Sequence, residues 1–206
     1  MSQKINSIRL TDEQRKHNFK LWVTFFRKHL DIFCMEYLEC PLYPYQQLMM
    51  REINRNEQTV VIAARATAKT YITALAAVAL CILYPNLKVL VVSPYKSQSI
   101  TLMEEKIRGE LYNLKPKIKQ EIKQISTGGD KQEVIFYNGS RIFAVPCSDR
   151  ARSPRANVAI YEEAADLDKQ ILETAVQPTL AFRRPSFSSI KKYENHVSKY
   201  EGNKEI

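Results

Sequence analysis

Between Gln58 and Pro85 the chain passes from a β-branched apolar run, Thr59-Val-Val-Ile-Ala63, through a turn, Ala64 to Thr70, into an alanine-rich apolar stretch closed by Pro85. A β-branched run without polar alternation is suited to a strand buried on both faces, and the following stretch has helix-forming composition. Strand, polar turn and helix in that order constrain the fold more than any other feature, because such a unit buries its apolar surface only within a helix-covered sheet. The same order returns twice. Lys88 to Ser93 (KVLVVS) is followed by a helix from Ser97 to about Asn113, and Val158-Ala-Ile-Tyr161 by Glu162-Glu163 and a helix near Asp168 to Val176. The alternation predicts an α/β domain with a mainly parallel central sheet flanked by helices. Glu133–Tyr137 and Arg141–Val145, joined through Asn138-Gly139, add a β-hairpin.

Upstream, Phe19, Trp22, Val23, Phe26, Leu30, Phe33 and Tyr37 recur at three- and four-residue steps, which predicts a helical arm over 12–39, capped by Thr11 or Asp12 and ended by Pro41 and Pro44. A second helix is expected over 45–54. The arm, 1–40, precedes a main domain over 41–182, and the polar stretch 183–206 reads as a loop or a cut end. The 206 residues suffice for one sizeable core, and no run of eighteen apolar residues suggests a membrane span. The opening residues lack the apolar region of a signal peptide. Four scattered cysteines and three dispersed histidines complete no zinc pattern, so four reduced thiols are expected. A formal net charge of +9 favours a polyanionic partner without specifying one.

Chemistry is concentrated in Ala63-Ala64-Arg65-Ala66-Thr67-Ala68-Lys69-Thr70. Its end matches the phosphate-binding pattern G-x-x-x-x-G-K-[ST], with alanine at both glycine positions. In such a loop the backbone N–H groups and the helix N-terminus surround the phosphates, the lysine reaches the β- and γ-oxygens, and the hydroxyl holds Mg2+. Lys69 and Thr70 have those roles here, and Ala64 to Tyr71 form the binding segment. If either alanine position requires a left-handed backbone, alanine costs roughly 1–2 kcal/mol relative to glycine. The other reading of Lys69 is an exposed residue at a turn.

A phosphate-binding lysine needs a carboxylate for the hydrated metal and a base for the attacking water. Glu162 and Glu163 follow an apolar strand at the end where ligands of open α/β sheets bind. Glu162, where aspartate is usual, is assigned to Mg2+ and Glu163 to water activation; the reverse assignment stays open. A simpler reading makes both acids a favourable helix start.

Taken in order, Tyr45-Gln46, Arg65 to Tyr71, Asn138-Gly-Ser-Arg-Ile142, Arg150-Ala-Arg152-Ser-Pro-Arg155-Ala-Asn157 and Ile160-Tyr-Glu162-Glu163-Ala-Ala resemble the large subunits of phage terminases over about residues 41 to 185. The resemblance implies a RecA-like (ASCE) P-loop NTPase that hydrolyses ATP with Mg2+ to drive double-stranded DNA into a procapsid. It further implies a ring of like subunits, a portal protein and a small terminase subunit as partners, no membrane, and the host cytoplasm as location. Pro44-Tyr45-Gln46 is similar to the family's adenine-recognition motif, with Gln47 a competing reader. Arg65 lies where terminases carry an arginine that steadies γ-phosphate charge, alternatively a salt bridge holding the loop. One of Arg150, Arg152 and Arg155 completes a neighbouring subunit's site, alternatively contacting DNA or solvent. The family's Ser/Thr-rich coupling strand and its nuclease domain are not visible before Ile206, so an isolated or interrupted motor domain without nuclease activity is expected.

Two other readings remain. A superfamily-2 helicase or translocase shares the glutamine motif and paired acids, but Ala164-Ala165 replaces the end of its D-E-x-[DH] box. A nucleotide-binding but catalytically inert assembly module fits the alanine-substituted loop.

Overall fold

The computed structural model describes residues 11–64, 66–128, 132–147, 155–181 and 204–205. Helix α1, Asp12–Lys28, starts on a capping box: Gln14 N–H donates to Thr11 Oγ1 at 3.2 Å, and Thr11 N–H to Gln14 Oε1 at 2.9 Å. The expected single arm helix breaks at His29. It resumes as α2, Leu30–Ile32, and widens into a π-helical turn, Phe33–Tyr37, where Leu38 N–H reaches back five residues to Phe33 O. That turn packs Phe33 and Tyr37 around Trp22, with ring centroids 6.1 and 5.1 Å away.

Helix α3, Pro44–Arg55, leads into the turn, and α4, Lys69–Leu83, leaves it. Ala74, Ala76, Ala77 and Ala79 are fully buried, and their small side chains let α4 lie close to the sheet. The arm is fixed to the far end of α4. Arg27 donates from Nη2 and Nε to Leu83 O at 2.7 and 3.1 Å, and its guanidinium lies 4.2 Å from the Tyr84 ring centroid. Donation from a cation to the last carbonyls of a helix also complements the helix dipole.

Strand β1, Lys88–Ser93, is central. It pairs in parallel with β4, Arg141–Pro146, and with β5, Val158–Tyr161. β2, Ile122–Ser126, and β3, Gln132–Phe136, extend the sheet antiparallel beyond β4, and a two-residue strand β6, Lys204–Glu205, lies parallel to β5 at the other edge. The order is β2-β3-β4-β1-β5-β6. Helix α5, Lys96–Ile100, continues in wide π-helical turns over Thr101–Tyr112 and covers the α4 face of the sheet with Leu102, Met103, Ile107 and Leu111. The period-2 alternation of β1 divides the core: Val89 and Val91 face that side, while Leu90 and Val92 meet Leu167 and Leu180 on the other. Helix α6, Pro116–Glu121, precedes β2, and α7, Lys169–Ile171, follows β5.

One expectation fails. Thr59 to Ala64 forms no strand, and Val60 and Ile62 are 85% and 94% exposed instead of buried. A β-branched run becomes a strand only when a neighbouring edge takes its backbone groups. β1 lies between β4 and β5, Val158 and Ala159 at β5's outer edge are met by β6, and the segment pairs with none of these strands. The sheet is otherwise as expected, parallel at its centre, with the hairpin β3–β4 and the added strand β2 forming an antiparallel edge.

Candidate functional site

The turn between Ala63 and Thr70 wraps around Lys69. Its ammonium donates to Ala63 O at 2.6 Å and Ala64 O at 2.9 Å, and Thr67 Oγ1 donates to Ala64 O at 2.7 Å. Ala68, the residue before α4, has φ 56° and Ala66 φ 65°, both left-handed. The strain anticipated for an alanine loop therefore falls on Ala66 and Ala68 rather than on Ala63. Arg65 lies outside the described residues, as do Arg150 and Arg152.

Helix α4 then carries Thr70 and Thr73 on one face, three residues apart. That face meets the end of β5. Thr73 Oγ1 donates to Glu162 Oε1 at 2.5 Å, and Glu162 N–H to Val92 O at 2.9 Å, so the carboxylate sits just beyond the ends of β1 and β5. Desolvation raises the Glu162 pKa above the ordinary carboxylate range, as does the neighbouring Glu163; bonds from Thr73 and Thr70 and the Lys69 charge pull it back. Glu162, distant in sequence from Lys69 and Thr70, thus comes within electrostatic reach of both.

Glu163 is also left-handed, with φ 50°, and its carboxylate accepts from Gln98 Nε2 in α5. Non-glycine residues held there are uncommon and concentrate at functional sites. Gln98 Oε1 is buried without a hydrogen-bond partner. A cavity of about 800 Å3 reaches Glu163 but not Glu162, Thr73 or Gln98, with Tyr43, Gln46, Lys69, Thr70 and Glu110 also among its lining residues. Ala66, Thr67, Ala68 and Tyr71 line it as well, whereas Ala64 and Tyr45 do not.

Gln46 is buried and committed at both ends of its amide. Oε1 accepts from Tyr43 N–H at 2.9 Å, and Nε2 donates to the Tyr45 hydroxyl at 3.3 Å. Tyr45 in turn donates to Thr67 O at 3.5 Å. Gln46 therefore braces the start of α3 against the backbone of the turn before α4. Gln47 donates to Leu42 O at 3.0 Å. Arg155 is exposed ahead of β5, where Asn157 N–H meets Lys88 O at the start of β1, so it stands at the sheet end opposite Glu162 in its own chain. Thr73 and Gln98 are the site residues that sequence patterns did not single out.

Among the described residues no helix is long and apolar enough to cross a membrane, and no group of three or more His, Cys, Asp or Glu stands ready for a metal ion. All four cysteines are free thiols.

A helix-covered α/β sheet with a lysine-bearing turn and paired carboxylates beyond its strand ends belongs to the class of open α/β folds that take ligands at those ends. Comparison with solved structures narrows it to the fold of phage large-terminase ATPase domains. The large terminase ATPase domain of Thermus phage P74-26 superposes with a TM-score of 0.59 at 17% identity, over 71% of this chain and 62% of that one. An arginine-to-alanine variant of that domain gives 0.58 at 16% identity, over 71% and 63%. The large terminase of bacteriophage HK97 gives 0.51 at 17% identity, over 68% of this chain and 30% of that one. The chain thus spans less than two thirds of the length of these structures. No protein-family model matches the sequence, and no curated protein matches it significantly.

Proposed function

We propose that this chain is the ATPase motor domain of a phage terminase large subunit, hydrolysing ATP to drive double-stranded DNA into a procapsid. The observation that carries the reading is the meeting of Lys69, Thr70 and Glu163 around one cavity, with Glu162 bonded into the same helix face, on a fold shared with large-terminase ATPase domains. The residues suit Mg2+ with ATP: a hydroxyl and a carboxylate are hard oxygen donors, and Mg2+ commonly takes few protein ligands, completing its shell with water and phosphate. Thr70 and Glu162 would hold the ion, whose contribution when bound is to neutralise charge on the phosphate oxygens.

The chain's own residues do the rest. Lys69 exchanges the carbonyls of Ala63 and Ala64 for phosphate oxygens, which are better partners for an ammonium because they carry charge. The N–H groups at the start of α4 point to the same place. Glu163, once released from Gln98, orients a water for in-line attack and takes up its proton. Arg65 is assigned to the γ-phosphate. Arg150, Arg152 and Arg155 are candidates for serving a neighbouring subunit, and Arg155's distance from its own Glu162 favours that use over a role within the chain. A ring of like subunits, a portal protein, a small terminase subunit and the host cytoplasm complete the proposal.

A catalytically inert nucleotide-binding module draws support from the two left-handed alanines and from the internal bonds of Lys69. Phosphate release with Mg2+ and ATP, with and without double-stranded DNA, separates the two readings. Turnover lost in Glu163→Gln but with nucleotide binding kept supports the motor. Tight binding without turnover under every condition supports the inert module, and absence of nucleotide binding removes both.

A further inference from the structure

We infer that Thr73 is a positioning residue for the carboxylate of Glu162, and that it sets the affinity of this site for a divalent cation. The inference rests on the proposed Mg2+–nucleotide reading of the site and goes beyond it, because Thr73 belongs to no part of the phosphate-binding pattern.

Glutamate carries one more methylene and one more rotatable bond than aspartate, so at the end of β5 it needs an additional restraint to present its oxygens in one place. Thr73 supplies that restraint. It lies three residues beyond Thr70 on the same face of α4, so both hydroxyls are directed at the end of β5. Thr73 Oγ1 is 2.5 Å from Glu162 Oε1, a length typical of a hydroxyl donating to an ionised oxygen.

Two carbonyls compete for that hydroxyl: Lys69 O at 3.3 Å and Thr70 O at 3.1 Å, the usual back-bonding partners of a helical threonine. A hydroxyl has one proton, and the charged acceptor at the shorter distance takes it. Anchored through Oε1, Glu162 leaves Oε2 available for a cation beside the Thr70 hydroxyl. Thr73 is half-buried and stays on the helix side of the carboxylate, so it acts through Glu162.

The test uses the full 206-residue chain and a fluorescent ATP analogue titrated with Mg2+. Thr73→Val keeps the side chain's shape and removes the hydroxyl. It is expected to raise the Mg2+ concentration for half-maximal effect about tenfold, the lower range for loss of a residue that orients a metal ligand. Analogue binding in EDTA is expected to stay as in the wild type, the urea unfolding midpoint to fall only by the one hydrogen bond lost, and Thr73→Ser to restore both the midpoint and the Mg2+ response. Thr73→Ala carries the same expectation if valine disturbs α4. In a Glu162→Asp background, where the carboxylate ends about 1.5 Å short, Thr73→Val should add nothing. An unchanged Mg2+ response in Thr73→Val, or an equal shift in the aspartate background, would make Thr73 a packing residue and leave the nucleotide site standing. If the wild type neither binds the analogue nor responds to Mg2+, the proposed function fails and takes this inference with it.

Discussion

The two ends of α4 are built on opposite principles. At its C-terminal end the local chemistry is fully satisfied. Asn138 Nδ2 donates to Cys81 O at 2.7 Å and Ile82 O at 3.1 Å, Ser140 Oγ to Tyr84 O at 2.8 Å, and Arg27 to Leu83 O. The left-handed residue of the hairpin turn is a glycine, Gly139, at φ 85°. At the N-terminal end the left-handed positions are alanines, the nearest cation bonds back onto the loop, and the apolar residues leading in are exposed. One helix therefore has an end that holds the fold and, on the proposed function, an end kept ready for a ligand. On that reading, local rules are obeyed where stability is the only demand and broken where backbone N–H groups and a lysine must remain available.

If that division is right, substitutions at the two ends should affect different measurements. The largest effect is expected for Lys69→Ala: about a 10²–10³-fold or greater loss of ATP hydrolysis, with the thermal midpoint close to that of the wild type, read by phosphate release and circular dichroism. Unchanged turnover would remove Lys69 from the chemistry and the contrast with it. Gly139→Ala should do the reverse. An added Cβ would stand 2.3 Å from Asn86 Oδ1, on a backbone that L-residues rarely adopt. A loss of about 2 kcal/mol is expected in urea unfolding, with hydrolysis per folded molecule unaltered. A tolerated alanine would mean that this end is looser than its bonds imply.

A smaller effect sharpens the comparison from the ligand side. Ala68→Gly relieves a left-handed alanine at the cost of a freer unfolded chain, for a net gain of roughly 0.5–1 kcal/mol. The same change at an ordinary α4 position, such as Ala77, should destabilise, because glycine in a helix interior loses backbone entropy and packing. Equal and opposite unfolding shifts for the two variants would support strain at Ala68. Destabilisation in both would show that the loop conformation is held without strain.

Which parts of this were legible in the sequence follows from how local each determinant is. The α4 stretch, KVLVVS and the Asn138-Gly139 turn carry their own patterns, and each forms where expected. β2 was not legible. Ile118, Ile122 and Ile125 recur at helical spacing, yet the chain leaves α6 at Glu121 and pairs antiparallel with β3, an edge placement that exposes Lys123. Thr59–Ala63 failed for the complementary reason: composition specifies a strand, but only a free neighbouring edge makes one. In the candidate site, Lys69 and Thr70 were singled out by spacing and the acids by their place after a strand. Thr73 and Gln98 were not, because their partners lie 89 and 65 residues away and only the fold brings them together.

The smallest expected effect tests the electrostatics of the ligand end. Burial raises the pKa of Glu162 relative to an unfolded chain, where it is an ordinary carboxylate. The folded state therefore binds the proton more tightly than the unfolded state. The associated stability is complete below the ordinary carboxylate range and is lost as pH rises through the raised value. At neutral pH the ionised Glu162 is then a cost to the metal-free chain, and Glu162→Gln, which keeps an oxygen for Thr73, should raise the urea midpoint there and lose its advantage at acid pH. With Mg2+ and nucleotide the order should invert, because an amide is a poor cation ligand. Wild type and variant midpoints are compared across pH in EDTA and in Mg2+–ATP. A difference independent of pH would show that Glu162 is not strained by its charge, and the ligand end of α4 would then be as well satisfied as the other.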